Sequence, residues 1–499
     1  MPRNPCSRPL SVSLLFVIAG LAPAADPSGA TPWIGLATPH FRLYTTNDEK
    51  TAAAALQSFE SARYFFEKSG IFRSVPTSVV QVVAFRSEQE YRARGINPGA
   101  CGYYQRTRRA DYIVMRDLAP EHHQIGVHEY THFVFEHSGL TLPLWLNEGL
   151  ADLYSSVAGG QGHVVLGRAP FGRLYTLENQ SWMDLGMLLD VARDSPYYSQ
   201  PQKMLLFYAE SWALTHMLAL SADYAAAFPK FVESVSAGAN ARESLAKIYG
   251  RPLAQVMADL HAYMSRRQLP AHLFDLDLAP ADVEARPLAG PREQADLALA
   301  DLAASTSSVE AEGTAALNSF SGRYPESPEA EESLGYMALR HNRTEEARLH
   351  FQKAVDRHST AADVIFYLAH LESTDGASLD RVIALLNRAL EINPDYYDAR
   401  LELGFVAAKA KKFDLAIASL TAAAQLAKGD NSHPEHVYVL SYTLAYCYAQ
   451  LNQSERALEY CEKAKRAARS GQDQEQTANL LRYIERERQH SSVAALTVR

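Results

Sequence analysis

The sequence predicts two folded parts in one chain, an α+β domain followed by an all-α solenoid of helical repeats. Strand and helix patterns occur together over residues 33–265, whereas almost no strand pattern follows residue 293. Small and apolar residues recur in that later part at intervals of 34 or 35 residues. The chain has 499 residues, and single hydrophobic cores stop growing near roughly 250–300 residues. Strands first and helices later are typical of the α+β class.

The first 24 residues have the pattern of a secretory signal peptide. Arg3 and Arg8 precede an apolar run over residues 10–21, and the Ala-Pro-Ala sequence at 22–24 offers a cleavage site between small residues. The run is too short to span roughly 30 Å of hydrocarbon, although an uncleaved anchor or a buried helix is the alternative. We therefore expect an exported protein, periplasmic or secreted, without a transmembrane anchor.

Charge and cysteine content argue against two classes of protein. The chain has 48 basic and 57 acidic residues, a formal net charge of -9, so its bulk charge does not favour nucleic acid. Loss of Cys6 with the leader leaves Cys101, Cys447 and Cys461, an odd number without a CxxC pair. This excludes a disulfide framework. We expect Cys447 and Cys461 to be buried free thiols, with a bond between them as the alternative.

The elements of the first domain follow from the period of the apolar residues. Strands are predicted at 41–45, 79–85 and 111–115, and helices at 49–68, 121–137, 145–157 and 203–221. Residues 266–292 contain four prolines among acidic residues, which predicts a linker.

The second part carries an internal repeat over residues 328–471. The recurring positions are Leu334-Gly335, Ala347, Phe351 and Ala354, then Leu403-Gly404, Ala416, Leu420 and Ala423, then Leu444-Ala445, Ala457, Cys461 and Ala464. This pattern resembles the tetratricopeptide repeat, whose period is 34 residues. About four clear units and one degenerate unit cover residues 293–471, and a polar tail follows at 472–499. Stacked helical hairpins form a concave groove, which implies a peptide or protein partner.

The first domain contains an HExxH sequence from His128 to His132 within a helical pattern. Residues i and i+4 share one helix face, with Cβ atoms about 5–6 Å apart, so the two imidazoles can hold one zinc ion. Glu129 is turned away from the ion but can reach a water bound to it. Chance alone gives HExxH in roughly a few per cent of such chains, so a buried histidine pair without metal is the alternative.

The segment at 142–152, with the sequence LPLWLNEGLAD, can complete a metal site. A catalytic zinc takes three protein ligands and keeps one position open. Glu148 follows His132 by 16 residues, which is enough for a turn and a returning helix. Asp152 lies one helical turn further on the same face, from which it could bond the second nitrogen of a ligating histidine.

HEYTH followed by PLWLNEGLAD resembles the gluzincin branch of zinc metallopeptidases, in particular the peptidase MA-like domains of exported bacterial proteins. The resemblance covers about residues 33–265 and implies a zincin-like fold with one Zn²⁺ per chain. It implies that His128, His132 and Glu148 bind the metal and that Glu129 is the catalytic base of peptide hydrolysis. Asn147 and Asp152 complete the family's Asn-Glu-x-x-x-Asp sequence outside the ligands. The chain lacks a Gly-x-Met-Glu-Asn-type sequence, so an endopeptidase is expected.

Tyr208 is the candidate donor to the oxyanion of the reaction, because related gluzincins place a tyrosine or histidine on the next helix. The alternative is a core aromatic residue. Glu210 and His216 are interpreted as helix-face residues. Arg106, Arg108 and Arg109 are expected on a solvated strand edge, with an edge that pairs with substrate as the alternative.

Two hypotheses of function follow. In the first, the chain is an exported zinc peptidase whose repeats recognise a protein. In the second, it is a non-catalytic binding scaffold whose zinc site is structural or vestigial. Retention of Glu129 favours the first, because zinc binding does not require that residue.

Overall fold

The computed structural model describes residues 32–69, 74–97, 99–158, 162–278, 283–427 and 436–497. The chain divides into two compact units, Met1–Ala316 and Leu317–Arg499. The predicted leader lies outside the described residues. Within them, none of the helices combines the length and the apolar character needed to cross a membrane.

A six-stranded mixed sheet organises the first unit. Its strands are β1 (Ile34–Ala37), β2 (Phe41–Thr45), β3 (Val80–Ala84), β4 (Gly102–Arg106), β5 (Asp111–Met115) and β8 (Arg286–Pro287), numbered in chain order. They lie in the order β4-β5-β3-β2-β1-β8. The neighbours β2–β3 and β3–β5 are parallel, and the other pairs are antiparallel. The three strands predicted from the sequence are confirmed, and β4 forms one edge of the sheet.

The α-helices of the first unit lie between and after these strands along the chain. They are α1 (Glu49–Lys68), α2 (Glu88–Ala93), α3 (His123–His137), α4 (Leu144–Ser155), α5 (Phe171–Asn179), α6 (Leu185–Leu189), α7 (Pro196–Ser199), α8 (Pro201–Leu220), α9 (Phe228–Ser236), α10 (Ala241–Tyr249), α11 (Leu253–Met264) and α12 (Pro291–Ala304). Side chains alternate between the two faces of a strand, so Val82 packs in the core with α1 and α3 while its neighbour Val83 packs with α12. The first unit is therefore an α+β domain.

The interval 266–292 differs from the predicted linker. Strand β7 (His272–Asp275) in this interval pairs with β6 (His163–Leu166), and β8 pairs with β1. Two of the prolines fit this arrangement, because Pro287 lies in an edge strand and Pro291 occupies the first turn of α12. The described parts of this interval, residues 266–278 and 283–292, thus contain two paired strands, of which β8 lies at the edge of the six-stranded sheet.

Helix α12, at the start of the predicted repeat region, covers the second face of the sheet. Ala295, Ala298, Leu299 and Leu302 share a core with Tyr44, Val83, Tyr112 and Val114. Asp301 accepts hydrogen bonds from Thr107 Oγ1 at 2.8 Å and from the Tyr112 hydroxyl at 3.0 Å. Arg109 lies 3.6 Å from the same carboxylate and is 12% exposed, so the expected solvated edge is wrong for this arginine.

The second unit consists of antiparallel helix pairs, as predicted. After α13 (Glu310–Arg323), which crosses the boundary between the units, its helices are α14 (Glu329–Arg340), α15 (Thr344–Asp356), α16 (Ala362–Thr374), α17 (Leu379–Ile392), α18 (Tyr397–Lys409), α19 (Phe413–Ala427), α20 (Val437–Gln450), α21 (Ser454–Ala467) and α22 (Gly471–Thr497). A Cβ on Gly335 would come 2.4 Å from the Phe351 ring, and one on Gly404 would come 2.4 Å from Leu420. This close approach explains why small residues recur at these positions.

The predicted polar tail is largely helical and closes the apolar core of the last repeat. Leu480 and Ile484 of α22 are buried in one cluster with Cys461. Their i, i+4 spacing places both on one face of an otherwise charged helix. Cys447 and Cys461 are buried free thiols, as expected. Burial raises the pKa of Cys447 to about 12 and that of Cys461 to about 11, so neither is a reactive thiolate at neutral pH.

Candidate metal centre

Helix α3 carries both predicted histidines to one point beside the sheet. Its Gly126 lies against Phe59 of α1, where a Cβ would come 2.5 Å from the ring, so the helix packs closely on its neighbour. Tyr130 and Phe133 fill the core on the buried side. The Nε2 atoms of His128 and His132 lie 3.1 Å apart on the other side. The HExxH sequence therefore presents two imidazoles to a common position.

Helix α4 brings Glu148 to the same position. Its Oε2 atom lies 3.4 Å from Nε2 of His128 and 3.5 Å from Nε2 of His132. Glu148 is 4% exposed, and its Oε2 atom is buried without a hydrogen-bond partner. Among the described residues, these three are the group of histidine, cysteine and acidic side chains that could hold a metal ion.

The donor set and its spacing fit a zinc ion. Zinc takes nitrogen and oxygen ligands at about 2.0–2.2 Å in a tetrahedral arrangement, which separates the ligand atoms by about 3.3–3.5 Å. The three observed separations are 3.1, 3.4 and 3.5 Å. A buried carboxylate oxygen without a hydrogen-bond donor is costly unless a positive charge lies beside it. The cluster is thus complementary to a cation held between the three side chains.

The pKa shifts of His128 and Glu148 also favour a positive charge beside the Glu148 carboxylate. Burial alone would lower the pKa of His128, but the hydrogen bond with Asp152 and the nearby carboxylate of Glu148 outweigh it and raise the pKa to about 10. Burial alone would raise the pKa of Glu148, but the imidazoles of His128 and His132 beside it hold that pKa well below its usual range. The carboxylate therefore stays ionised next to the imidazoles.

Asp152 lies outside the three ligand atoms, as the sequence predicts. Its Oδ1 atom is 3.0 Å from Nδ1 of His128, the ring nitrogen that points away from the cluster. Such a bond fixes the tautomer that leaves Nε2 available to a metal. Asn147 is half-buried on α4 and, among the described residues, its side chain makes no hydrogen bond to the cluster.

Glu129 and Tyr208 both border the cluster. Oε2 of Glu129 accepts a hydrogen bond of 2.9 Å from the backbone N–H of Tyr104 in the edge strand β4. The ring of Tyr208, on α8, lies 6.3 Å from the ring of His128. Burial raises the pKa of Tyr208 well above its usual value, so the phenol remains a hydrogen-bond donor at neutral pH. The structure therefore brings the two residues predicted for catalysis to the same side of the fold as the ligands.

Two further side chains reach this site without a signal in the sequence. The Tyr198 hydroxyl donates to Oε1 of Glu148 at 3.1 Å. Arg173 contacts both carboxylate oxygens of Asp152, at 2.6 and 3.1 Å. Arg173 lies on α5 and Tyr198 lies on α7, and each reaches the cluster through the packing of its helix. No sequence motif relates either residue to the histidines.

The remaining histidine and acidic candidates have other partners. His216 contacts the Tyr263 hydroxyl at 2.7 Å and the carbonyl oxygen of Gly167 at 2.9 Å. Oε1 of Glu210 accepts a hydrogen bond of 2.8 Å from the N–H of Met183. These contacts agree with their interpretation as helix-face residues.

Comparisons with known proteins identify the repeats. Two tetratricopeptide-repeat profiles match the chain, one at residues 297–362 and 379–431 and the other at residues 440–470. No curated protein matches it. Residues 297–470 therefore form a tetratricopeptide-repeat region, of the kind that binds proteins or peptides.

Solved structures of repeat proteins are similar to part of the chain. YrrB, described as a tetratricopeptide-repeat protein with an unusual peptide-binding site, is 21% identical, and the match covers 38% of this chain and 91% of YrrB with a TM-score of 0.30. MamA from Desulfovibrio magneticus RS-1 is 17% identical over 33% of this chain and 96% of its own, with a TM-score of 0.26. A thermophilic tetratricopeptide-repeat protein from Thermus thermophilus is 22% identical over 38% of this chain and 98% of its own, with a TM-score of 0.23.

Proposed function

We propose that the chain is a zinc-dependent peptidase whose metal ligands are His128, His132 and Glu148. The observation that carries the proposal is the buried Oε2 atom of Glu148, which lies 3.4 and 3.5 Å from two imidazole nitrogens and has no hydrogen-bond donor. The gluzincin resemblance supports peptide-bond hydrolysis, and endopeptidase action in particular. The leader pattern at residues 1–24 supports export to the periplasm or the exterior.

The residues around the cluster suit the proton transfers of peptide hydrolysis. Zinc in such a site lowers the pKa of water and polarises a carbonyl group. Glu129 accepts the proton of the attacking water and delivers it to the leaving amine as the C–N bond breaks. The Tyr104 N–H occupies one oxygen of Glu129, which leaves the other for proton transfer. The Tyr208 hydroxyl is the donor for the developing oxyanion.

The repeats supply a second role within this proposal, which is to bind a substrate or partner protein. A second candidate function gives the repeats the whole role and makes the zinc site structural or vestigial. The family-profile matches favour this scaffold, because they fall on residues 297–470. Both candidates share the repeat surface and differ in whether Glu129 performs chemistry.

Elemental analysis and a peptide-library digest of the full chain test the proposal together. We expect one zinc per chain in the wild type and in Glu129→Gln, with cleavage by the wild type only. Glu136→Gln is the matched control, because Glu136 lies later on the same helix and is paired with Arg106 at 3.3 Å. Cleavage by Glu129→Gln at the wild-type rate, or purified chain without zinc, would overturn the peptidase. Zinc without cleavage, together with capture of a partner, would favour the scaffold.

A further inference from the structure

Helix α5 directs Arg173 at the carboxylate that orients His128. Nε of Arg173 lies 2.6 Å from Oδ2 of Asp152, and one terminal nitrogen lies 3.1 Å from Oδ1. The same Oδ1 is 3.0 Å from Nδ1 of His128. A guanidinium that bonds both oxygens fixes the plane of a carboxylate, which a single bond cannot do. The direction of the His128 ring therefore depends on the fork of Arg173.

The same guanidinium contacts Tyr208. Its central carbon lies 4.9 Å from the centre of the Tyr208 ring, within the range of a cation–π contact. Tyr208 in turn lies beside His128, with 6.3 Å between the ring centres. One side chain thus touches both the residue that orients a predicted ligand and the predicted oxyanion donor.

Arg173 also balances the charge of the buried carboxylates beside the cluster. Asp152 is 6% exposed and faces a region that already contains the carboxylate of Glu148. Arg173 supplies the positive charge that compensates a second buried carboxylate there. On the opposite side of α5, Phe171 and Tyr175 are exposed, so the helix presents its one arginine to the site.

We propose that Arg173 is a positioning residue that sets the His128 ring and the Tyr208 ring in place relative to each other. It does so through its paired bonds to Asp152 and its contact with the phenol. This inference rests on the proposed peptidase function for its catalytic half, whereas its effect on metal affinity does not require activity.

Arg173→Met in the full chain is the test, with Arg173→Lys as the conservative variant that restores charge without the fork. Loss of a residue that orients a metal-ligating histidine typically lowers metal affinity about 10–100-fold. We expect that loss in chelator competition with zinc, and an altered absorption spectrum of the cobalt-loaded chain. At saturating zinc we expect kcat to fall at least about tenfold with little change in KM, because the contacts act on the reaction rather than on substrate binding. Arg173→Lys should recover part of the affinity.

Arg251→Met is the matched control, because Arg251 is paired with Asp259 and lies 4.8 Å from the ring centre of Tyr224 in the same unit. It repeats the Arg–Asp–Tyr arrangement among residues outside the cluster, so we expect its zinc affinity to equal that of the wild type. If Arg173→Met misfolds, Arg173→Gln, which keeps donors for Asp152, takes its place.

The outcomes separate the two proposals. Unchanged zinc affinity in folded Arg173→Met would overturn the inference, whatever the activity. Weakened zinc affinity in Arg173→Met, combined with a wild-type chain that cleaves no peptide, would support the link through Asp152 to His128 and overturn the proposed peptidase activity. In an active chain, the kcat losses of Arg173→Met and Tyr208→Phe should be less than additive, and full additivity would overturn the link to Tyr208.

Discussion

Gly149 of α4 lies so close to Thr215 of α8 that a Cβ on the glycine would come 2.2 Å from the threonine Oγ1. The same Cβ would come 2.4 Å from the carbonyl oxygen of Ser211. The two helices therefore cross with their backbones in contact. Because Glu148 precedes Gly149 and Tyr208 lies on α8, this crossing sets the separation between the predicted ligand and the predicted oxyanion donor.

Replacement of Gly149 by alanine should separate these helices. The carbonyl of Ser211 belongs to helix backbone and cannot move aside, so we expect a loss of about 3 kcal/mol in the free energy of unfolding. We also expect weaker zinc binding, because Glu148 moves with α4. Thermal unfolding and chelator competition measure the two effects. Gly99→Ala is the control, because nothing lies within 4 Å of its added Cβ. Equal stability of the two variants would contradict this account of the crossing.

Glu148→Gln should weaken zinc binding more than Asp152→Asn does. The first variant replaces a charged ligand oxygen with a neutral amide, so we expect a loss of affinity well above 100-fold. The second retains an oxygen for the Nδ1 hydrogen bond of His128, so its loss should stay within about 10–100-fold. Competition with a chromophoric chelator at fixed pH ranks the variants. The reverse order would show that Glu148 is not a ligand.

The strongest elements of the fold could be predicted because their patterns are long. Helix α1 has the predicted bounds, since its apolar period persists for 20 residues between a capping Asp48 and the end of the helix. Strands β6, β7 and β8 were not predicted, because they are two to four residues long and too short to show alternation. These strands form because they pair with segments that are distant in the sequence, and a local sequence pattern does not reveal such pairing.

The meeting of His128, His132 and Glu148 could be predicted because the pattern behind it is local. His128 and His132 share one helix face, and Glu148 and Asp152 share the next, so helical spacing alone relates each pair. Tyr208 was predicted from the gluzincin resemblance rather than from spacing. Arg173 and Tyr198 could not be predicted, because their contacts depend on how α5 and α7 pack. The hydrogen bond from the Tyr104 N–H to Glu129 could not be predicted either, because every residue except proline has a backbone N–H.

A chain that ends at residue 265, the predicted end of the first domain, should not be stable alone. It would lose α12 and expose Tyr44, Val83 and Tyr112 on the second face of the sheet. Exposed apolar patches of this kind promote aggregation. We expect a chain of residues 25–316 to be soluble and monomeric by gel filtration, and one of residues 25–265 to aggregate.

A point variant tests the same contact in the full chain. Leu302→Ala removes a fully buried side chain of α12, which should cost about 2–5 kcal/mol of unfolding free energy. Arg292→Ala, at an exposed position of the same helix, should cost far less. Similar losses in both variants would mean that α12 does not stabilise the sheet.

Glu210 should make the first unit less stable as the pH rises. Its side chain is 1% exposed, and burial raises its pKa to about 8 despite the hydrogen bond from Met183. In the unfolded chain the carboxyl ionises near pH 4.5, whereas in the folded chain it keeps its proton up to about pH 8. The folded state thus binds the proton more tightly. The stability that this carboxyl contributes is fully present below about pH 4.5 and is lost between there and about pH 8, by an amount on the order of 5 kcal/mol.

Glu210→Gln removes this ionisation while its carbonyl oxygen can still accept from Met183. We therefore expect its stability relative to the wild type to increase steadily from pH 5 to pH 8, when thermal unfolding of both proteins is measured at each pH with zinc chelated. The comparison at equal pH cancels the contributions of all other titrating groups, which both proteins share. Glu233→Gln, at an exposed position of α9, is the control and should show a constant difference across the range. A constant difference for Glu210→Gln as well would mean that the carboxyl is ionised in the folded protein, and hence that its surroundings are more polar than its burial implies.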